Sequence, residues 1–489
     1  RAALLAESLE LGESESSAGD DKLFKTRKIL AGSRVPQTTE ILRLLRDNNQ
    51  ESKKLAVYLI GKFKLKDLLP DVCECLNSPG LEIHSASVLK SFGSEAAPEL
   101  VRCFMSTSGN VRTGKSIINL IGNENAPDNQ NFLFSRLWAG SRSMRELALT
   151  YLENSGYKPG EEEKDRLLQL ISDTIGIMVW IISARYVLQK MNEPVILRAL
   201  NFEYQRWNKF LFGILSITYE AASIARIREN LENNSVESVN YALEMIDIVI
   251  DDSIKPKLIP VVDMISDEDK IKALYQFYPG ELPSGTQLME GIINRDYNLL
   301  GIWIRACVLR SMKDTDAGDL IESVLALTFS PEEILMEESG RLLERTDKDL
   351  FGSVLSRLPE ESRNKLGNIV GDKVQPGNLI YERVLFLSSI FRDLCEDNLI
   401  PLAGLLNYGK DRKIISEKIK GASILWGSTG NGETNVAEII NDASRSKILN
   451  SNNSYDYYYF ISLSKIESFL IDYPEFKYDI LDFIEKINN

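Results

Sequence analysis

Histidine is almost missing from this sequence: His84 is the only one in 489 residues. That scarcity removes the usual general base and the commonest metal ligand from most catalytic constellations. Alone on a helical stretch, His84 reads as structural. Cysteine is sparse too. Cys73, Cys75, Cys103, Cys307 and Cys395 form no CxxC pair, and an odd number of scattered thiols points to reduced, packed side chains in a cytosolic compartment. On a helix Cys73 and Cys75 point to different sides, which favours packing over metal binding. Neither an EF-hand spacing nor an HExxH motif occurs, so no metal site is expected. Positive charge is also short. The 57 Lys and Arg against 71 Asp and Glu leave a net charge of -14, which opposes the counterion-release attraction that drives nucleic-acid binding. A nucleic-acid partner is therefore not expected. Long apolar runs are lacking as well: the most apolar, Ile175 to Leu188, is broken by Ser183 and Arg185 and falls short of the roughly 20 residues needed to span a bilayer. It reads as a buried helix. The chain opens at Arg1 with no signal-peptide pattern, and the expectation is that it continues from an upstream segment.

What the sequence does hold is 44% hydrophobic residues, arranged with helical periodicity to about residue 370. They fall in segments of about 10 to 16 residues broken by Gly, Pro, Asn and Ser. Such a length is too great for one ordinary core, so several domains or an extended array are required. The segments pair, and the clearest pairs share a template. Leu69-Pro70-Asp71-Val72, Ala97-Pro98-Glu99-Leu100 and Ile259-Pro260-Val261-Val262 each place proline where a helix's first turn loses no hydrogen bond. Val72, Leu100 and Val262, then Cys75, Cys103 and Ile265, give each of these helices one buried stripe. Second helices carry small residues at Ala86, Ala148, Ala242 and Ala306. Gly61, Gly93, Gly122 and Gly156 recur about every 30 residues at apolar helix ends, where left-handed caps would serve.

This pattern resembles the HEAT repeat family, with the proline-bearing first helix as its most specific element. The resemblance implies an all-α fold: a HEAT-like α-solenoid, or superhelix of antiparallel helix pairs, each hairpin burying its apolar face against its neighbours. A small C-terminal α+β appendix follows. Two seams divide the chain. Lys158-Pro159-Gly160-Glu161-Glu162-Glu163 is rich in breakers and charge, and residues 371–378 (GDKVQPGN) precede a shift toward Asn, Ser, Ile and Tyr. The expected domains are residues 1–157, a first block of repeats, 158–375, a second block, and 378–489.

Two motifs in the last segment suggest ligand chemistry. Gly427-Ser428-Thr429-Gly430-Asn431-Gly432-Glu433-Thr434 has Walker A glycine spacing, but Glu433 stands where the phosphate-binding lysine belongs and would repel phosphate. A Gly/Asn turn is the better account. Tyr381 to Leu406 (YERVLFLSSIFRDLCEDNLIPLAGLL) resembles the opening helices of cyclic nucleotide-binding domains. Tyr458 to Ile487, with its Tyr473-Pro474-Glu475 turn, is similar to their final strand and closing helices. The resemblance implies that Gly432 and Glu433 occupy the ribose-binding position and Arg445 the cyclic-phosphate position. Because the intervening segment is longer than the family's spacing, the expectation is a degenerate domain that keeps its helices and loses its ligand, with no cofactor. Acidic clusters such as Asp251-Asp252 and Asp267-Glu268-Asp269 read as helix N-termini, where they favour the macrodipole. Trp138, Trp180, Trp207, Trp303 and Trp426 read as core anchors.

No catalytic residues emerge. HEAT repeats followed by a cyclic nucleotide-binding-like domain resemble the soluble part of bacterial proteins with an ATP/ADP-translocase-like transporter half. That resemblance implies a non-catalytic scaffold or regulatory platform at the cytoplasmic face of the cell membrane, binding a protein partner on its solenoid surface and reaching the membrane only through an upstream segment. A free-standing cytosolic adaptor is the rival reading. A HEAT-like DNA glycosylase is the third, opposed by the acidic balance.

Overall fold

A computed structural model describes residues 37–488 except 79, 108–109, 234, 314–317, 371–376, 393, 411–414, 416–417, 420, 429–433, 441–456 and 474–475. The chain divides into two compact units, residues 1–135 and 136–489. Both are built from helices. Among the described residues, strands occur only after residue 406, so the structure is all-α with a small C-terminal sheet.

The first unit contains α1 (Thr38–Leu45), α2 (Gln50–Phe63), α3 (Leu69–Glu74), α4 (Glu82–Phe92), α5 (Ala97–Ser106) and α6 (Val111–Gly122), with α7 (Pro127–Arg136) at its end. Packing passes from neighbour to neighbour: α2 meets α1 and α4, α3 meets α4 and α5, and α6 meets α4 and α5. Pro70 and Pro98 sit in the first turns of α3 and α5 as expected, and Val72, Leu100 and Cys103 are buried. Each fully buried aliphatic side chain contributes about 1.5–3 kcal/mol against exposure. The glycine caps are half right. Gly93 and Gly156 take positive φ, whereas Gly61 lies inside α2 and Gly122 ends α6 without leaving the helix. At Gly61 the reason is close approach, since a Cβ there would meet Val88 of α4 at 2.8 Å.

The second unit runs through α8 (Arg142–Asn154), α9 (Glu161–Met191), α10 (Pro194–Thr218), α11 (Ala221–Glu232), α12 (Val236–Val249), α13 (Lys255–Val262), α14 (Asp267–Leu274), α15 (Gly285–Ile293), α16 (Ile302–Ser311), α17 (Ile321–Leu327), α18 (Glu333–Thr346), α19 (Lys348–Arg357), α20 (Glu360–Asn368), α21 (Ile380–Ile390) and α22 (Glu396–Leu405). Two expectations fail here. The segments are not all short, because α9 extends over 31 residues and α10 over 25. The breaker-rich Lys158 to Glu163 stretch starts α9: Gly160 N–H donates to Glu163 Oε2 at 2.8 Å, and the three glutamates occupy the positive end of the helix. Helix α9 is thus long and apolar enough to cross a membrane by length and composition alone, yet 56% of its most apolar stretch is buried inside the unit. It packs against α10, α13, α14 and α15. Arg185, which interrupts its apolar run, pairs with Asp267 at the start of α14, Nε to Oδ2 at 3.1 Å. The other failure is Pro260. It lies inside α13, whose first turn holds Pro256 instead, so the buried face is Ile254, Leu258 and Val261, with Val262 half-buried and Ile265 exposed.

Contacts in this unit are not confined to chain neighbours. Helix α16 packs against α10, α15, α18 and α22, and at its N-terminus Gly301 and Ile302 are half-buried. Helical N–H groups there have no partner within the helix and need acceptors from elsewhere. Asp397 Oδ1 on α22 accepts from Ile302 N at 2.7 Å and Trp303 N at 2.9 Å. Glu203 on α10 accepts from Gly301 N at 2.8 Å, while Arg142 of α8 pairs with both its carboxylate oxygens at 2.7 and 3.2 Å. Arg142 also donates to Leu299 O at 3.2 Å, as does the Trp207 indole at 2.9 Å. Glu203 is 3% exposed, and burial raises its pKa against the pull of Arg142.

The C-terminal sheet comprises β1 (Asn407–Gly409), β2 (Ser423–Ser428), β3 (Thr434–Ile440) and β4 (Tyr457–Ser462), in the antiparallel order β1-β4-β2-β3. After it come α23 (Leu463–Asp472) and α24 (Lys477–Asn488). Both faces are covered. Leu425, Tyr458 and Phe460 cluster with Ile415 and Ile419, and the alternate residues Trp426 and Tyr459 meet Phe386 of α21, with Phe483 of α24 stacked on Trp426.

The capped helix start yields a prediction. A Cβ at Gly301 would lie 1.8 Å from Asp397 Oδ2, so Gly301→Ala must displace the capping carboxylate. The expected loss is about 2 kcal/mol, read as a lowered urea midpoint. An unchanged midpoint would show that the cap does not hold α16.

Candidate functional site

The C-terminal segment is built of helices and one small sheet. Tyr381 to Leu406 forms α21 and α22, and Tyr458 to Ile487 forms β4, α23 and α24. Gly432, Glu433 and Arg445 lie outside the described residues. Between sheet and helices, the described part leaves a void of only about 10 Å³, lined by Leu387, Trp426, Ile461, Ile480, Phe483 and other apolar side chains. That holds at most one water. This interior is packed core.

A larger cavity of about 160 Å³ opens between the end of α16 and the second half of α18. Helical spacing builds its wall, because Glu338, Arg341, Leu342 and Arg345 stand three or four residues apart on α18 and so share a face. Arg310, in the last turn of α16, faces them. Glu338 is 2% exposed. Its Oε2 lies 3.3 Å from Arg310 Nε and its Oε1 3.5 Å from Arg341 Nη1, and Oε1 accepts no hydrogen bond. Arg310 also pairs with Glu382 of α21 at 2.5 Å and stacks over Tyr381 at 4.4 Å. Burial raises the Glu338 pKa while the two guanidiniums oppose the rise; burial lowers that of Arg341. Arg345 donates to Met312 O at 2.8 Å. The cavity matches in size one that takes up a benzene-sized molecule. Its described lining pairs one buried carboxylate, Glu338, with the guanidiniums of Arg310 and Arg341.

Next to Glu338, Glu337 turns toward α21. Its Oε2 accepts from Ile380 N at 2.9 Å, the first turn of a helix whose Tyr381 stacks on Trp303 at 4.7 Å. Burial pushes the Glu337 carboxyl up to about 7, against the Ile380 hydrogen bond.

The remaining singled-out residues are structural or superficial. His84 is half-buried, its pKa lowered by burial and by Lys54, and its Nδ1 has no hydrogen-bond partner. Trp207, Trp303 and Trp426 are core anchors, whereas Trp138 is exposed with Arg166 at 4.4 Å from its ring. Asp267, Glu268 and Asp269 form the first turn of α14, capped by Ser266. Among the described residues, no three His, Cys, Asp or Glu side chains converge as a metal site.

One surface was missed by reading the sequence for buried stripes. Helix α12 buries Val239, Ala242 and Ile246 and exposes Val236, Tyr241 and Ile248 at 65%, 54% and 83%. Glu237, Glu244 and Asp247 are exposed around them. The signal was available: Tyr241 and Ile248 are seven residues apart and out of phase with the buried set.

The Glu337 carboxyl sets a pH dependence. Below its ordinary value of 4.5 it is neutral folded and unfolded; as the pH rises toward 7 the unfolded chain ionises first, and the folded state loses roughly 3 kcal/mol. Glu337→Gln keeps an acceptor for Ile380 N and cannot ionise. It should therefore flatten the fall in melting temperature between pH 5 and pH 8, with the gain over the parent appearing at the higher pH. Parallel curves for parent and variant would refute the assignment. The chain matches no family model, no curated protein and no solved structure.

Proposed function

We propose that the chain is a non-catalytic binding platform for a protein partner. Its natural setting, on this reading, is the cytoplasmic portion of a transporter-like membrane protein, as the likeness of its C-terminal segment to a regulatory module suggests. The observation that carries the binding half is the outer face of α12, where Val236, Tyr241 and Ile248 stand exposed among Glu237, Glu244 and Asp247. Single exposed apolar residues are ordinary, but Tyr241 and Ile248, two turns apart on one face of α12 and accompanied by Glu237 and Glu244, form a patch that complements a basic amphipathic segment. Neighbour-to-neighbour packing in the first unit supports a HEAT-like array there, and the net charge of -14 disfavours nucleic acid as the partner.

A free-standing cytosolic adaptor is the second reading, and it predicts the same α12 surface without a membrane. Fractionation separates the two. Native protein recovered from detergent-solubilised membranes as a longer polypeptide supports the transporter-linked setting, and a soluble species of 55.2 kDa leaves the adaptor.

For the binding half, the probe is a fluorescent helical peptide of alternating Lys and Leu blocks. Tyr241→Ala combined with Ile248→Ser should weaken its binding at least tenfold, or by about 1.4 kcal/mol. Reversal of Glu237, Glu244 and Asp247 to Lys should do the same. Stability should change by no more than about 0.5 kcal/mol for each exposed substitution. Binding untouched by either set would exclude α12 as the docking face.

A further inference from the structure

The cavity between α16 and α18 has one ionic wall and one apolar wall. Glu338 and Arg341 stand on the first, and Leu309, Leu342 and Val370 form the second. The ionic wall is incomplete. Glu338 is 2% exposed, and a carboxylate so buried is ordinarily paired and fully hydrogen-bonded. Here Oε1 accepts no hydrogen bond. Its ion-pair distances, 3.3 Å from Oε2 to Arg310 Nε and 3.5 Å from Oε1 to Arg341 Nη1, exceed the roughly 2.7–2.9 Å of a good charge-assisted bond. Arg310 is drawn away to Glu382 and lies over Tyr381. Arg341 follows Glu338 by three residues on the same helix. A guanidinium carries five N–H donors, and the one ion pair that Arg341 makes among the described residues, with Glu338, leaves donors over.

We propose that this cavity binds a small zwitterion, an α-amino acid with a branched apolar side chain, whose ammonium donates to Glu338 and whose carboxylate accepts from Arg341. Each end of such a molecule supplies what one lining group lacks: donors for a buried acceptor, and an acceptor for the remaining guanidinium donors. An ion of one sign fits worse. An amine sets a third cation beside Arg310 and Arg341, and a carboxylate with no ammonium faces Glu338 and Glu344 unscreened. The apolar wall takes the side chain. At about 160 Å³ the space compares with a cavity of about 150 Å³ that admits benzene, so main chain and side chain together have about the size of valine. Mixed walls of this kind, mostly apolar with a few convergent polar groups, are the usual make-up of small-molecule sites.

The site joins α16 to α18, and Arg310 carries the connection on to Glu382 of α21. An occupant that completes the Glu338 pairing therefore braces these helices. No residue of α12 lines the cavity, so this inference and the α12 docking face stand or fall separately.

The test is calorimetric titration of the full-length chain with valine, with isovalerate, which is valine without its ammonium, and with isobutylamine, which is valine without its carboxylate. Expected is one valine bound per chain, each analogue binding roughly tenfold more weakly or worse, and a melting temperature that rises with valine concentration. Valine should also slow the modification of Arg341 by phenylglyoxal, read by peptide mapping, and leave that of Arg228, an exposed arginine on α11, unchanged. Arg341→Met and Glu338→Gln should each abolish valine binding. No binding of valine up to about 10 mM, an analogue that binds as tightly as valine, or Arg341 modified at one rate with and without valine would overturn the proposal. Titration and protection are both measured on the parent chain, so a poorly folding variant cannot hide the answer.

Discussion

The second unit depends on one capped helix start. The first N–H groups of α16 are half-buried, where an amide left unpaired costs more than a made hydrogen bond contributes. Asp397 and Glu203 supply the acceptors, and Arg142 neutralises Glu203. Three elements far apart in sequence, α8, α10 and α22, are thereby held against one helix end. Removing one member of such a set leaves a buried charge without its partner, which is why the set acts as a unit. Gly301 belongs to it by having no side chain to displace the Asp397 carboxylate.

The same logic of compensated charge recurs toward the C-terminus. Arg310 ties Glu338 of α18 to Glu382 of α21, and Glu337 holds the first turn of α21. The sheet that follows is covered on both faces. In the second unit carboxylates are thus spent inside as acceptors for helix starts and partners for arginines, and outside on α12 around an unpartnered apolar patch. The buried carboxylates face arginines and backbone amides.

Much of the architecture was legible in the residues. Helical periodicity gave the class, Pro70 and Pro98 marked helix starts because proline's missing N–H costs nothing in a first turn, and Asp267 to Asp269 marked another. The shift in composition at residues 371–378 marked an α+β end to the chain, and the strands begin there only after two further helices. Where the reading failed, the cause was non-local. Pro260 fits either the start or the last turn of a short helix, and only the packing of Leu258 and Val261 decided which. Gly61 has the look of a cap and is instead a contact point for Val88. The buried helix read over Ile175 to Leu188 is the apolar middle of the 31-residue α9, whose more polar first turns carry no such run.

What the sequence by itself determined is what repeats at short range: which segments are helices, where many of them start, that positive charge is scarce, and that histidine chemistry is nearly absent. Tertiary structure alone decided which polar side chains meet. Glu203 looks like one acidic residue in an apolar helix, and Asp397 like an ordinary first-turn acid. Their partners stand at Gly301 and Ile302, dozens of residues away. Periodicity reports only the direction of a side chain from its own helix axis. The identity of the atom it reaches depends on how the helices cross.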